Sequence, residues 1–74
     1  MLDRITRNPQ VLDGQPCIRN LRVTVRRVLE LLALYESREE LFSEYPELEE
    51  QDLKQALEYA AANLEDKIID VKTA

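Results

Sequence analysis

Histidine and tryptophan are absent from this 74-residue chain, and cysteine and glycine occur once each. A single cysteine, Cys17, cannot form an internal disulfide, and without histidine the zinc sites built from Cys and His are excluded. No histidine is available as a general base, and Cys17 lacks a partner for a nucleophilic pair, so a small buried apolar role suits it better. The sequence therefore predicts a protein that is not an enzyme and has no metal, cofactor or small-molecule substrate.

Long apolar runs are also missing. No segment approaches the roughly 20 apolar residues of a membrane helix, and the first ten residues, MLDRITRNPQ, lack the apolar core of a secretory signal. Hydrophobic residues make up 45% of the chain and charged residues 34%, a composition of folded rather than disordered proteins. We expect a cytoplasmic protein without membrane contact.

The short chain limits the core that it can form. It is one domain at most, and a domain of this size hides only about 60% of the surface that its unfolded form exposes. Such a core rarely supplies more than about 3–5 kcal/mol. Because a disulfide and a Cys/His zinc site are excluded, a partner chain is the remaining source of stability. We therefore expect a homodimer, a larger homo-oligomer or a complex.

Charge is divided unevenly along the chain, whose net charge is −5. Residues 1–27 hold six arginines against two aspartates, a net charge of +4, whereas residues 28–74 carry a net charge of −9. Such a division can favour head-to-tail association of two copies, or can hold an anion at the basic end. Alternatively, the acids form a solvated surface that balances the arginines within one fold.

Residues 1–24 predict a β arm of short strands. Asn8-Pro9 ends the first strand in a turn, Asp13-Gly14 suits a tight turn, and Asn20 tolerates the left-handed conformation of another turn. Strands this short must pack on the helices or pair with another copy. The extended segments are expected at Leu2–Arg7, Cys17–Arg19 and Leu21–Val23.

Residues 25–66 predict a core of three helices. Thr24 suits the N-cap of a first helix over about Val25–Tyr35, whose apolar residues repeat at helical spacing. The residues expected to face the core of all three helices are Val28, Leu32, Leu41, Phe42, Leu53, Leu57 and Ala60.

The second and third helices have their own start signals. Ser37–Glu40 has the S-x-x-E pattern of a capping box, and Pro46 ends the helix that it begins. The third helix is expected to start near Glu49 or Glu50, where acidic residues interact favourably with the helix dipole. Residues 67–74 are then a short C-terminal tail.

Two short helices joined by a tight link, with another helix before them, give the outline of a helix-turn-helix domain. In a DNA-binding protein of this kind the last helix presents basic or amide side chains to base edges. Here that helix carries Glu49, Glu50 and Glu58, which repel phosphate. Base recognition by this helix is therefore disfavoured.

Arginines near the first helix are better candidates for anion contact. Arg26 and Arg27 lie in its first turn, where the helix dipole disfavours a cation by about 0.3–1 kcal/mol, so their placement indicates contact with something else. Alternatively, Arg26 or Arg27 pairs with Glu30 one turn later, and Arg22 supports the turn before the helix. The candidate nucleic-acid-binding residues are Arg19, Arg22, Arg26 and Arg27.

The segment Gly14–Val25, GQPCIRNLRVTV, resembles the G-K-P-x-I-R-G-T-R-I-x-V signature of a bacterial family called domain of unknown function 433. The resemblance continues in order through Leu31–Ala33, Glu39–Leu41, Tyr45–Leu48 and Ala56–Ala60, so it covers most of the chain. The chain departs from the family pattern at Gln15, Asn20, Leu21 and Tyr35.

This resemblance implies a homeodomain-like three-helix fold and a non-enzymatic, antitoxin-like function. The implied partners are a nuclease-like toxin of the PIN type, a second copy of the chain and operator DNA. The alternative is a protein-interaction or oligomerisation module without DNA binding. The candidate partner-binding residues lie in the tail and are Ile68, Ile69 and Val71.

Overall fold

A computed structural model describes residues 2–64. Over this range the chain is mainly helical, with a two-stranded antiparallel sheet before three helices. This architecture confirms the prediction of three helices with a short N-terminal β arm. None of the helices within the described range is long and apolar enough to cross a membrane. The elements are β1 (Ile5–Thr6), β2 (Cys17–Ile18), α1 (Val25–Leu34), α2 (Arg38–Glu44) and α3 (Glu50–Asn63), with a single 3-10 turn at Leu12–Gly14 between the strands.

The sheet is shorter than the sequence predicts. β1 and β2 pair antiparallel, with Ile5 opposite Ile18, and each strand has two residues. The prediction of a third extended segment at residues 21–23 is wrong. Arg22 has a φ of 62°, so the chain turns there, and only an isolated bridge joins Cys17 to the residue before α1.

Left-handed residues shape the arm between and after its strands. Asp13 and Gly14, with φ of 57° and 77°, form the turn predicted there, and Asn20, with φ of 60°, lies in the next predicted turn. Glycine reaches this region freely and asparagine at modest cost, whereas most other L-residues pay about 1–2 kcal/mol. Leu12 and Arg19 also have positive φ, which the sequence does not predict.

Side chains satisfy backbone N–H groups at the start of each helix. Thr24 Oγ1 accepts a hydrogen bond of 3.0 Å from an N–H of α1, and Ser37 Oγ accepts one of 3.1 Å from the N–H of Glu40. Thr24 and Ser37 are thereby confirmed as N-caps, but within residues 2–64 the reciprocal bonds of a capping box are formed by Glu49 and Asp52 and not by Ser37 and Glu40. At α3, the backbone N–H of Glu49 donates to Asp52 Oδ2 over 2.8 Å, so the first turn is fastened to the residue that precedes it.

The core joins β2 to all three helices and follows most of the predicted pattern. Cys17 is 2% exposed, as expected of a small buried apolar side chain. Among the seven residues predicted to face the core, three have no exposed surface: Val28, Leu41 and Leu53. Three others are half-buried: Leu32, Phe42 and Ala60.

Leu57 departs from that pattern. Helical spacing predicts it in the core beside Leu53, but 47% of its surface is exposed, so this prediction is wrong. The β arm packs on the side of α3 that carries Asp52 and Gln55, and both polar residues are buried there. The buried face of α3 is consequently rotated toward the arm, and Leu57 is left on the opposite flank.

Candidate interaction surface

A buried carboxylate on α3 holds the arm to the helices. The side chain of Asp52 has no exposed surface. Arg19 donates two hydrogen bonds to it, from Nε to Oδ1 over 2.9 Å and from Nη2 to Oδ2 over 2.7 Å. Arg4 donates a third, from Nη1 to Oδ1 over 3.0 Å. Two guanidinium groups thus compensate one buried negative charge, which would otherwise destabilise the fold.

The same contacts set the charge state of this carboxylate. Burial raises the pKa of Asp52, but hydrogen bonds from Arg19, from the backbone of Glu49 and from Arg4 outweigh burial and hold the pKa below its usual value. Arg19 also donates from Nη2 to the carbonyl oxygen of Glu47 over 2.7 Å. The guanidinium of this candidate DNA contact is therefore directed into the protein.

Gln55 makes a second link between the arm and α3. Its Oε1 accepts a hydrogen bond of 2.8 Å from the backbone N–H of Arg4, and its Nε2 donates one of 2.8 Å to Asp3 Oδ1. The second bond lowers the pKa of Asp3. Gln55 is 8% exposed, so it faces the arm. A residue that contacts DNA bases would instead face the solvent.

The other three candidate arginines lie at the solvent-exposed start of α1 or just before it. Arg27 Nη1 lies 3.2 Å from Glu30, and Arg27 Nη2 donates to the Tyr45 hydroxyl over 3.4 Å. Arg26 Nε lies 3.8 Å from the same glutamate, and its side chain is 85% exposed. The pairing considered from the sequence is thus present. Exposed pairs of this kind contribute about 0.2–1 kcal/mol, so they can be exchanged for contacts to a ligand, and Arg22 is exposed beside them.

An apolar groove lies between the start of α1 and the end of α3. It has a volume of about 250 Å³ and opens to solvent. Arg26 also lines it, and the exposure of that side chain puts its charge at the groove's edge. The apolar residues that line it are Pro16, Val25, Leu29, Tyr59, Ala60 and Leu64.

A second depression, of about 510 Å³, lies between the end of α1 and α2 and is acidic. Its carboxylates repel anions, which leaves the start of α1 as the better place for a phosphate. Within residues 2–64, no three Cys, Asp or Glu side chains form a group that could hold a metal ion. The charged residues that line this depression are Glu39, Glu40 and Glu44.

The family model described as "Protein of unknown function (DUF433)" matches residues 5–60. The match begins at β1, ends within α3 and covers more than half of the chain. The chain belongs to the DUF433 family. No curated protein and no solved structure matches this chain.

The DUF433 match includes the arginine-bound carboxylate and most of the groove, but neither was predicted from the sequence. The one sequence signal for Asp52 was its place in the acidic first turn of the third helix, which suggests a capping residue and not a buried ion. No local sequence pattern indicated the groove, because the residues that line it come from three separate parts of the chain: the arm, α1 and the end of α3. The tail residues Ile68, Ile69 and Val71 lie outside the described residues.

Proposed function

We propose that this chain is a non-enzymatic, antitoxin-like binding protein that holds a partner protein in the groove between α1 and α3. The observation that carries this proposal is an open apolar groove in a domain whose other described depression is acidic. Contiguous exposed apolar surface on a small protein marks an interaction site. At about 250 Å³ the groove is smaller than most small-molecule sites, and its open shape suits a few side chains of a partner.

The residues at the groove define what the partner presents. Leu29, Tyr59 and Leu64 offer apolar and aromatic surface, and Arg26 offers a cation at the edge. Tyrosine and arginine are common among residues that dominate interface energies. The matching segment is an amphipathic helix with an acidic residue beside its apolar stripe. In the antitoxin-like function this helix belongs to a nuclease-like toxin of the PIN type, and the tail containing Ile68, Ile69 and Val71 adds further contacts.

Filling the groove tests this proposal. Ala60 lines the groove and is half-buried, whereas Ala62 is exposed and does not line it. Ala60→Phe should weaken binding to a PIN-type nuclease-like protein encoded beside this chain's gene, measured by titration calorimetry, and Ala62→Phe should not. Thermal unfolding of both variants controls for folding. Equal affinity of the two variants would place the partner elsewhere.

DNA binding is a second candidate function, favoured by the exposed arginines at the start of α1. Arg22, Arg26 and Arg27 lie within six positions of one another and are all exposed. Their charges attract phosphate in a chain whose remaining surface is largely acidic. The helix-turn-helix interpretation gives α3 a different role, base recognition, which its exposed Glu50 and Glu58 oppose.

A triple substitution of these arginines to Gln separates the two functions. Arg19 is left unchanged because it binds the buried carboxylate of Asp52. If DNA from upstream of the gene is bound through this surface, the slope of log K against log salt should flatten by about 0.9 for each phosphate that the variant no longer neutralises. A control substitution, Arg38→Gln on α2, should leave the slope unchanged. If the wild-type protein binds no DNA at low salt, the chain is an interaction module without DNA binding.

A further inference from the structure

One flank of α3 carries an exposed pattern that neither the core nor the groove uses. Lys54, Leu57, Glu58 and Ala61 occur at i, i+3, i+4 and i+7, so they share one face of the helix. All four are exposed, and Leu57 keeps 47% of its surface in solvent. None of the four lines the groove.

The two charges on this face have no ion-pair partner among residues 2–64. The ion pairs within that range use Arg4, Arg19 and three other arginines, and none includes Lys54 or Glu58. Lys54 and Glu58 are four residues apart, or about 6 Å along the helix. Leu57 lies between them along the helix axis but about 60° around the helix from Lys54, on the side away from Glu58.

A second copy of this face complements the first when the two helices run antiparallel. A twofold axis at the midpoint of Lys54 and Glu58 places the lysine of each copy opposite the glutamate of the other. The same axis sets the two Leu57 side chains beside each other along one edge of the contact, because Leu57 lies only about 1.5 Å along the helix from that midpoint. A parallel arrangement would instead place lysine opposite lysine and glutamate opposite glutamate, which is repulsive. An interface with twofold symmetry is self-complementary in this way.

We propose that two copies of this chain associate through this flank of α3, antiparallel, with the two Leu57 side chains in contact along one edge and two Lys54–Glu58 pairs along the other. The occupant of the surface is therefore a second copy of the same chain. The stems of the lysines cover the edge of the leucine contact. This association does not rest on the proposed function, because the groove uses other residues of α3.

Charge reversal provides a test in which one variant rescues the other. Lys54→Glu makes the face wholly acidic, and Glu58→Lys makes it wholly basic. Each variant alone should dimerise at least about tenfold more weakly than the wild type, since two attractive pairs become repulsive. An equimolar mixture restores both pairs, so a heterodimer should form, detectable by native mass spectrometry and sedimentation velocity. Glu39→Lys, on α2, changes the net charge by the same amount as Glu58→Lys and should dimerise as the wild type does.

Each outcome of this experiment either supports or overturns the proposed dimer interface. A heterodimer from two variants that are weak alone supports the interface, and it also shows that both variants are folded. A wild-type protein that stays monomeric over a hundredfold range of concentration, about 10 μM to 1 mM, overturns it. Variants that associate as strongly as the wild type, or a mixture that forms no heterodimer, also overturn it. Loss of this dimer with Leu57→Ser, while toxin binding persists, would separate it from the groove.

Discussion

Arg19 donates two hydrogen bonds, of 2.9 and 2.7 Å, to the carboxylate of Asp52, which lies 33 residues later in the chain. The arginine lies directly after β2, and the aspartate lies in the first turn of α3. A paired, planar contact of this type fixes direction as well as distance. It therefore sets the angle at which the arm rests on the helical core.

Removing the carboxylate should destabilise the fold strongly. In Asp52→Asn, Arg19 loses its charged partner and Arg4 keeps only its exposed pair with Glu49, while both arginines stay partly buried, with side chains 34% and 28% exposed. Breaking a fully buried pair costs about 3–5 kcal/mol; because solvent screens these arginines in part, we expect about 2–4 kcal/mol. Urea unfolding measures this loss. Glu39→Gln, an exposed acid on α2, should change stability by less than about 0.5 kcal/mol, and a similar small loss for Asp52→Asn would contradict the structure.

The same carboxylate should make part of the stability depend on acid pH. The pKa of Asp52 is lower in the folded chain than its usual value of about 3.9. Its contribution is therefore complete above that usual value and is lost as the pH falls through the folded pKa. Between about pH 5 and pH 2, the wild type should lose more unfolding free energy than Asp52→Asn. An osmolyte that strengthens folding keeps both proteins measurable, and parallel pH curves would refute the prediction.

Two leucines one turn apart on α3 should respond very differently to truncation. Leu53 has no exposed surface, whereas Leu57 is 47% exposed. Leu53→Ala should cost about 2–5 kcal/mol, as for other buried leucines. Leu57→Ala should cost less than about 1 kcal/mol at concentrations where the chain is monomeric. Thermal unfolding of the two variants, run side by side, makes the comparison, and equal losses would mean that Leu57 is buried after all.

Arg22 occupies a left-handed backbone position, with φ of 62°, although its side chain is exposed. Arg22→Gly should relieve this strain and raise the unfolding free energy by as much as about 1 kcal/mol. If the arginine is retained for phosphate contact, the same variant should bind DNA more weakly while it melts at a higher temperature. Arg22→Val, which cannot adopt the left-handed conformation easily, should instead lower the melting temperature.

The sequence alone determined the helices and the turns at Asp13-Gly14 and Asn20, because their signals act within a few residues. Thr24 and Ser37 each cap an N–H three positions later, and Asn20 adopts the left-handed conformation that its side chain tolerates. The family resemblance in Gly14–Val25 was also correct, and the family match confirms it. Such features need no knowledge of what packs against them.

Only the tertiary structure decided which side of α3 is buried and what Arg19 does. Helical spacing favours the apolar side of α3, but docking of the arm brings Asp52 and Gln55 into the interior and leaves Leu57 partly in solvent. The partners that make this burial favourable lie 33 to 52 positions away in the chain. No local pattern shows that an exposed-looking aspartate will meet two arginines, because their charges compensate each other only once the arm and the helix are in contact.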